Sequence, residues 1–208
     1  MSTLLEYYRS GGAVMHAILV VAVLGLAVFF ERVYTLVFRS KGNTRAFVEQ
    51  VLKLVGAGKT DEAARMCAAT PGAIPHIGDL VLKSKSRSEA DLQNAVDAAS
   101  LASIPGLTRR LHYLPMLANV ATLLGLLGTI FGLREAFASV ALVSAAERSG
   151  KLAGGIAIAL NATGFGLLTA IPLSLAHAWL SSQAEGMIER VDEFSVRLVN
   201  ALTSRGSE

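Results

Sequence analysis

Charge is what this sequence has least of. Only 17% of its 208 residues are Asp, Glu, Lys or Arg, while 52% are hydrophobic; an average soluble protein carries roughly 25% charged residues. A soluble domain of this length has too little interior to hide so much apolar surface. An ordinary soluble enzyme is therefore excluded, and a bilayer is the place for the excess. Cysteine is nearly absent too. The single Cys67 excludes an intrachain disulfide, and with no His or Cys at ligand spacing it reads as a packed thiol. The phosphate-binding, zinc-protease and serine-hydrolase motifs are all missing. No Arg-rich helix or aromatic–basic stretch points to nucleic acid. The four histidines, His16, His76, His112 and His177, are scattered. His16 and His177 fall within apolar runs near their ends and read as interfacial or packed, although an imidazole titrates in a range useful to a proton relay. No cofactor and no metal site is expected.

What is present is three long apolar runs. Residues 10–30, 111–133 and 152–184 contain none of the four charged types. A helix needs about 20 apolar residues to span a bilayer, so the runs predict transmembrane helices over 13–38, 113–143 and 152–183. A cleaved signal peptide fits the first run poorly: it is too long, and Glu6 and Arg9 cancel where a basic leader is needed. The third run exceeds a bilayer's thickness, so it should tilt or project beyond it. Of the 19 Lys and Arg residues, 11 lie between Arg39 and Arg110. The positive-inside rule then puts 39–112 and the tail 184–208 in the cytoplasm, with 1–12 and the loop 144–151 on the periplasmic side.

The cytoplasmic part reads as helices. Phe47, Val51, Leu54 and Val55 share one face. Thr60 is placed to cap the next helix, which runs to Pro71. Ser88-x-x-Asp91 resembles a capping box opening a helix through about Ser103, with Pro105-Gly106 interrupting it. Pro115 is positioned to kink the start of the second span. Met187, Val191, Phe194, Val196, Leu198 and Leu202 mark a last amphipathic helix. No strand pattern and no repeat is visible.

Inside the second and third spans the informative residues are small or polar. Thr122, Gly125, Thr129, Gly132 and Ala136 recur at spacings of three and four, as do Gly155, Ala159, Thr163, Gly166 and Ala170. Small residues let helices approach closely in lipid, and tight packing alone would explain the spacing. Asn119, Asn161, Thr129 and Thr163 add polar groups that are costly against lipid and should face protein or a watery lumen. None of them titrates near neutral pH. A proton path normally needs an ionisable group within the membrane, so any such group should come from a partner helix. Arg134 and Glu135 lie towards the outer end of the second span. They read as a polar interface near the surface, with an ion-access role as the competing reading.

The stretch ATLLGLLGTIFGL over Ala121–Leu133, followed by Ala136-Phe137, resembles the signature of the MotA/TolQ/ExbB proton channel family, chiefly its TolQ and ExbB branch. A second match runs from Gly155-Ile156-Ala157 through Ala162-Thr163 to Ala170-Ile171-Pro172. The resemblance extends to the order of spans, the large cytoplasmic segment and the helical tail. It implies an all-α integral membrane protein with three transmembrane helices and a helical cytoplasmic segment, assembled as a homopentamer in the bacterial inner membrane. The lumen, lined by the second and third spans, would hold two copies of an ExbD- or TolR-like single-span partner whose membrane aspartate carries the proton. A TonB- or TolA-like envelope effector would receive the work. On this resemblance Thr122, Thr129, Asn161 and Thr163 are the pore-lining residues. Gly125, Gly128, Gly132 and Gly166 serve helix packing, and Pro172 matches the family proline and should kink the third span. Where the ExbB branch usually has a glutamate, this chain has Ile158.

Three functions follow from these readings. The first is a subunit of a motor driven by the proton motive force, not an enzyme. The second is a non-conducting membrane scaffold, and the third an ion channel without mechanical output.

Overall fold

The computed structural model describes residues 12–38, 44–84 and 88–204. Residues 1–11 of the expected outer segment, the basic residues Arg39, Lys41, Lys85 and Arg87, and Arg205 lie outside them. The described residues form helices and no strands: α1 Val14–Val33 with a π-helical continuation Tyr34–Phe38, α2 Thr44–Gly56, α3 Thr60–Ala69, α4 Ala73–Leu82, α5 Glu89–Thr108, α6 Tyr113–Val140 and α7 Arg148–Thr203. Three helical stretches are long and apolar enough to cross a membrane: Val14–Val37, one ending at Val140, and one within α7.

The chain divides into two compact units. The first holds the described part of Met1–Glu31 together with Arg110–Trp179. Its helices are apolar all round, and many large side chains stay exposed, among them Val20, Leu24, Phe30, Leu123, Ile130, Phe137, Leu168 and Leu175. Such exposure is what lipid rather than water selects. Pro115 falls in the first turn of α6, where its missing N–H is one that the helix could not use anyway. Glu31 near the C-terminal end of α1 accepts a 2.6 Å hydrogen bond from Arg110, whose pKa it raises by that bond and by its charge.

The second unit holds Arg32–Arg109 and the described residues from Leu180 onwards. Its core gathers Val51 and Val55 of α2, Ala63 and Cys67 of α3, Ile74, Ile77 and Val81 of α4, Leu92 and Val96 of α5, and Val191, Phe194, Leu198 and Leu202 of α7. The repeats of three and four seen in the sequence therefore converge on one core. Val196 departs from the expectation and is 60% exposed; two residues beyond Phe194 is about 200° round the helix. Phe194 reaches its place because Gly78 has no side chain. A Cβ there would lie 2.9 Å from Cys67 Sγ and 3.2 Å from Phe194 Cζ. Gly58, at φ +83°, ends the α2 segment, with Lys59 N–H donating to Leu54 O at 2.9 Å.

Three details differ from the sequence expectations. Lys59, not Thr60, holds the N-cap of α3. Helix α5 runs through Pro105 to Thr108; a proline so near the end costs one backbone bond, and Arg109 N–H still donates to Pro105 O at 2.9 Å. Buried Arg32 brings Nη1 to 3.5 Å from Gly106 O, at the electronegative end of that helix. Finally, the third apolar run and the amphipathic tail form one 56-residue helix, α7, unbroken at Pro172. Nothing between them carries a stop signal, since Gly186 meets no neighbouring atom within 4 Å and is tolerated mid-helix.

Cys67 is 1% exposed, and burial, followed by the nearby Asp79 charge, pushes its thiol from 9.0 up to about 11. Because the folded value is raised, the neutral thiol favours the fold below pH 9, and that contribution is lost as pH rises towards 11. Iodoacetamide labelling at pH 8, read by mass spectrometry, is expected to leave Cys67 unmodified in the native protein and to modify it fully in denaturant.

Candidate functional site

The candidate site grows from the contact between α6 and the first half of α7. On α6 the buried stripe is Leu114, Ala118, Ala121, Gly125, Gly128, Gly132 and Ala136. On α7 it is Gly155, Ala159, Ala162, Gly166 and Ala170. The two stripes pair in antiparallel order. A Cβ on Gly166 would lie 2.7 Å from Ala121 O, and one on Gly125 would lie 3.2 Å from Thr163 Cα. A Cβ on Gly132 would lie 2.9 Å from Ala159 N. Gly128 faces the Ala162 methyl, and Gly155 faces Ala136, with no room for a methyl of its own. The backbones meet at these points, which is how helices associate where no hydrophobic effect drives them together.

That closeness makes a polar contact between the helices. Thr163 Oγ1 donates to Gly125 O across the interface at 3.0 Å. Thr129 Oγ1 donates to Leu126 O at 2.6 Å and Thr122 Oγ1 to Ala118 O at 3.1 Å, both within α6. Each hydroxyl has spent its single proton on a carbonyl. What remains are oxygen lone pairs, which can accept from water or from a protonated carboxyl.

At 100° per residue, Thr122 and Thr129 lie about 20° apart on α6, some 70° from the centre of its buried stripe. Thr163 is about 60° from the stripe of α7, and because the helices are antiparallel this is the same side of the hairpin. Thr129 and Thr163 are half-buried and Thr122 is exposed. Around them stand the exposed Leu126, Leu133, Ile156, Leu160 and Leu167. Among the described residues this face carries no ionisable group. Asn161 is not brought to it: two residues from Thr163, it points about 160° away round α7. Pro172 lies away from the three hydroxyls along α7, whereas the exposed Asn119 stands one turn before Thr122 on α6, about 60° from it round the helix.

Helix α1 packs on the opposite side of the hairpin. Gly25 lies under Leu173, whose Cδ2 would be 2.6 Å from a Cβ there, and Val14 Cβ lies 3.7 Å from a Cβ built on Gly128. Ile158 belongs to this α1 side, with its Cγ2 3.9 Å from a Cβ built on Gly12. Arg134 and Glu135 line a groove on the same side, together with Gly12, Ala17, Phe131 and Ile158. Sequence spacing marks the small residues but treats each helix as one face. The division into a hydroxyl side and an α1 side needs the pairing of the two helices.

A family model for the MotA/TolQ/ExbB proton channel family matches residues 60–193. A biopolymer transport protein ExbB homolog of Methanothermobacter thermautotrophicus is 26% identical over 204 residues, covering 98% of this chain and 70% of the relative. The biopolymer transport protein ExbB-like 3 of Synechocystis is 36% identical over 168 residues, 78% of this chain and 77% of its own. The Tol-Pal system protein TolQ of Haemophilus influenzae is 35% identical over 118 residues, about half of each chain (53% and 51%). These names describe channel or transport components rather than enzymes.

The helix contact makes a direct prediction. A methyl added at Gly154 would meet nothing within 4 Å, whereas one at Gly132 would meet backbone. Replacing a helix-interior glycine by alanine ordinarily stabilises by up to about 1 kcal/mol, so Gly154→Ala should hold or raise the thermal midpoint in detergent. Gly132→Ala should lower it, by the equivalent of about 1–3 kcal/mol of overpacking. A differential scanning measurement on the two variants checks both signs.

Proposed function

The chain belongs to the MotA/TolQ/ExbB proton channel family, and on that premise we propose that it is the shell subunit of a motor driven by the proton motive force. Five copies surround two single-span partner helices of the ExbD or TolR kind. The N-terminus and the α6–α7 connection face the periplasm, and the helical unit faces the cytoplasm of an inner membrane. Proton movement changes the charge of a partner aspartate and turns one set of helices against the other. A TonB- or TolA-like effector delivers the work to the envelope. One unit charge crossing 100 mV supplies about 2.3 kcal/mol, so several protons suffice for a conformational step.

One observation carries this reading: three hydroxyls share a side of the α6–α7 hairpin that has no acid or base of its own. Thr122, Thr129 and Thr163 all donate to carbonyls and present acceptor lone pairs. A titrating group is the missing component, and a partner carboxyl satisfies the hydroxyls in its protonated form. A non-conducting scaffold is favoured by Ile158, where the ExbB branch usually has a glutamate. Yet Ile158 lies on the α1 side, so its apolar side chain leaves the chemistry of the hydroxyl side untouched. A channel without mechanical output shares the hydroxyl side and predicts flux that needs no envelope effector.

Proton uptake by liposomes containing this protein and its partner tests the reading. Thr163→Val and Thr129→Val are each expected to slow uptake about tenfold or more, the effect of losing about 1.4 kcal/mol of stabilisation, while membrane insertion is unchanged. Thr163→Ser should retain most of the rate, because it keeps the hydroxyl. Wild-type rates in both valine variants would remove these residues from the pathway, and no uptake in the wild type would favour the scaffold.

A further inference from the structure

The groove on the α1 side is not used by the proposed motor. It has a volume of about 660 Å³, within the roughly 300–1,000 Å³ range of small-molecule sites. Its walls are Gly12, Ala13, Val14 and Ala17 beside α1, Leu124, Leu127, Gly128, Phe131 and Gly132 on α6, and Ile158 on α7. Every one of these side chains is apolar or absent. The groove follows α6 from Leu124 to Ala138, about 20 Å at 1.5 Å per residue. That is one leaflet's share of the ~30 Å hydrocarbon core plus the start of the headgroup layer.

Among the described residues, the only charged ones lining it are Arg134 and Glu135. They sit about 32 Å along α6 from Tyr113, at the level where one hydrocarbon core ends and headgroups begin. Both are exposed, and adjacent helical residues do not face each other closely enough to pair. Among the described residues neither is in a salt bridge. A guanidinium and a carboxylate therefore stand side by side at the mouth of an apolar slot.

We propose that this groove binds a phospholipid with an ethanolamine headgroup, drawn from the leaflet on the side of the α6–α7 connection. One acyl chain fills the slot beside Ala17 and Phe131. The phosphate takes the planar fork of Arg134, and the primary ammonium donates to Glu135. A glycerol headgroup offers no cation to Glu135, and a choline headgroup has no N–H to donate. The charge pattern thus selects ethanolamine over both. The bound lipid wedges between α1 and the α6–α7 hairpin, independently of any proton flow.

The test uses the full-length protein in nanodiscs with equal amounts of ethanolamine, choline and glycerol phospholipids, extracted into mild detergent and weighed intact by native mass spectrometry. The ethanolamine lipid should be retained about fivefold over the choline lipid, the selectivity of roughly one charge-assisted hydrogen bond. Glu135→Gln should bring that ratio to the bulk value, Glu135→Asp should preserve it, and Ala17→Phe should displace the lipid by filling the slot. Thermal midpoints of the variants, equal to that of the wild type, separate these effects from misfolding. Retention at the bulk ratio in the wild type would overturn the proposal, as would selectivity that survives both Glu135→Gln and Ala17→Phe. A photoreactive residue at position 17 that captures protein, from this chain or a second copy, instead of lipid would also overturn it.

Discussion

The close approach of α6 and α7 is the constraint on which the membrane-embedded unit depends. Four glycines of α6 and α7, Gly128, Gly132, Gly155 and Gly166, face backbone atoms or methyl groups with no room for a side chain. In lipid there is no hydrophobic gain from bringing two apolar helices together, so packing and interhelical hydrogen bonds must do it. Removing the side chains at the contact provides both: the backbones touch, and Thr163 can reach the carbonyl of Gly125. A larger residue anywhere along the line would separate the helices and withdraw that hydroxyl.

The same contact sorts the hairpin into two sides with different chemistry. One side presents hydroxyls among leucines and isoleucines and contains no charge. The other accepts α1 and, towards one end, opens into a groove edged by Arg134 and Glu135. On the proposed reading, a hydroxyl side with no acid of its own must borrow one. The charge-free side is suited to a partner helix, because nothing there competes with the partner's carboxyl for the proton. The second unit is held together quite differently, by an ordinary apolar core around Phe194, as expected of helices that do not rely on lipid.

Much of this is legible in the sequence because its cause is local. The three apolar runs follow from bilayer thickness, and the helical repeats of Val51, Val55, Phe194 and Leu198 follow from about 3.6 residues per turn. The small residues of the second and third spans announce a close contact. What is not legible depends on pairing. Asn161 and Thr163 are two positions apart, and only the helix partner decides that one meets the hydroxyl side and the other turns away. Pro105 reads as a stop because the rule that a proline breaks a helix is weakest in the last turn, where α5 places it. The join of the third run to the tail in α7 is hidden because apolar and amphipathic stretches suggest separate elements even when no residue breaks the backbone between them. The groove beside Glu135 requires three helices at once and leaves no signal beyond two charges at the end of an apolar run.

The central claim is that this chain forms a shell whose titrating group belongs to another protein. Native mass spectrometry of the protein co-expressed with its genomic neighbours and extracted in detergent tests it most directly. The account predicts five copies of this chain holding two copies of a single-span chain with an aspartate in its membrane segment. A stable assembly that retains no such partner, with the neighbours expressed, would contradict it.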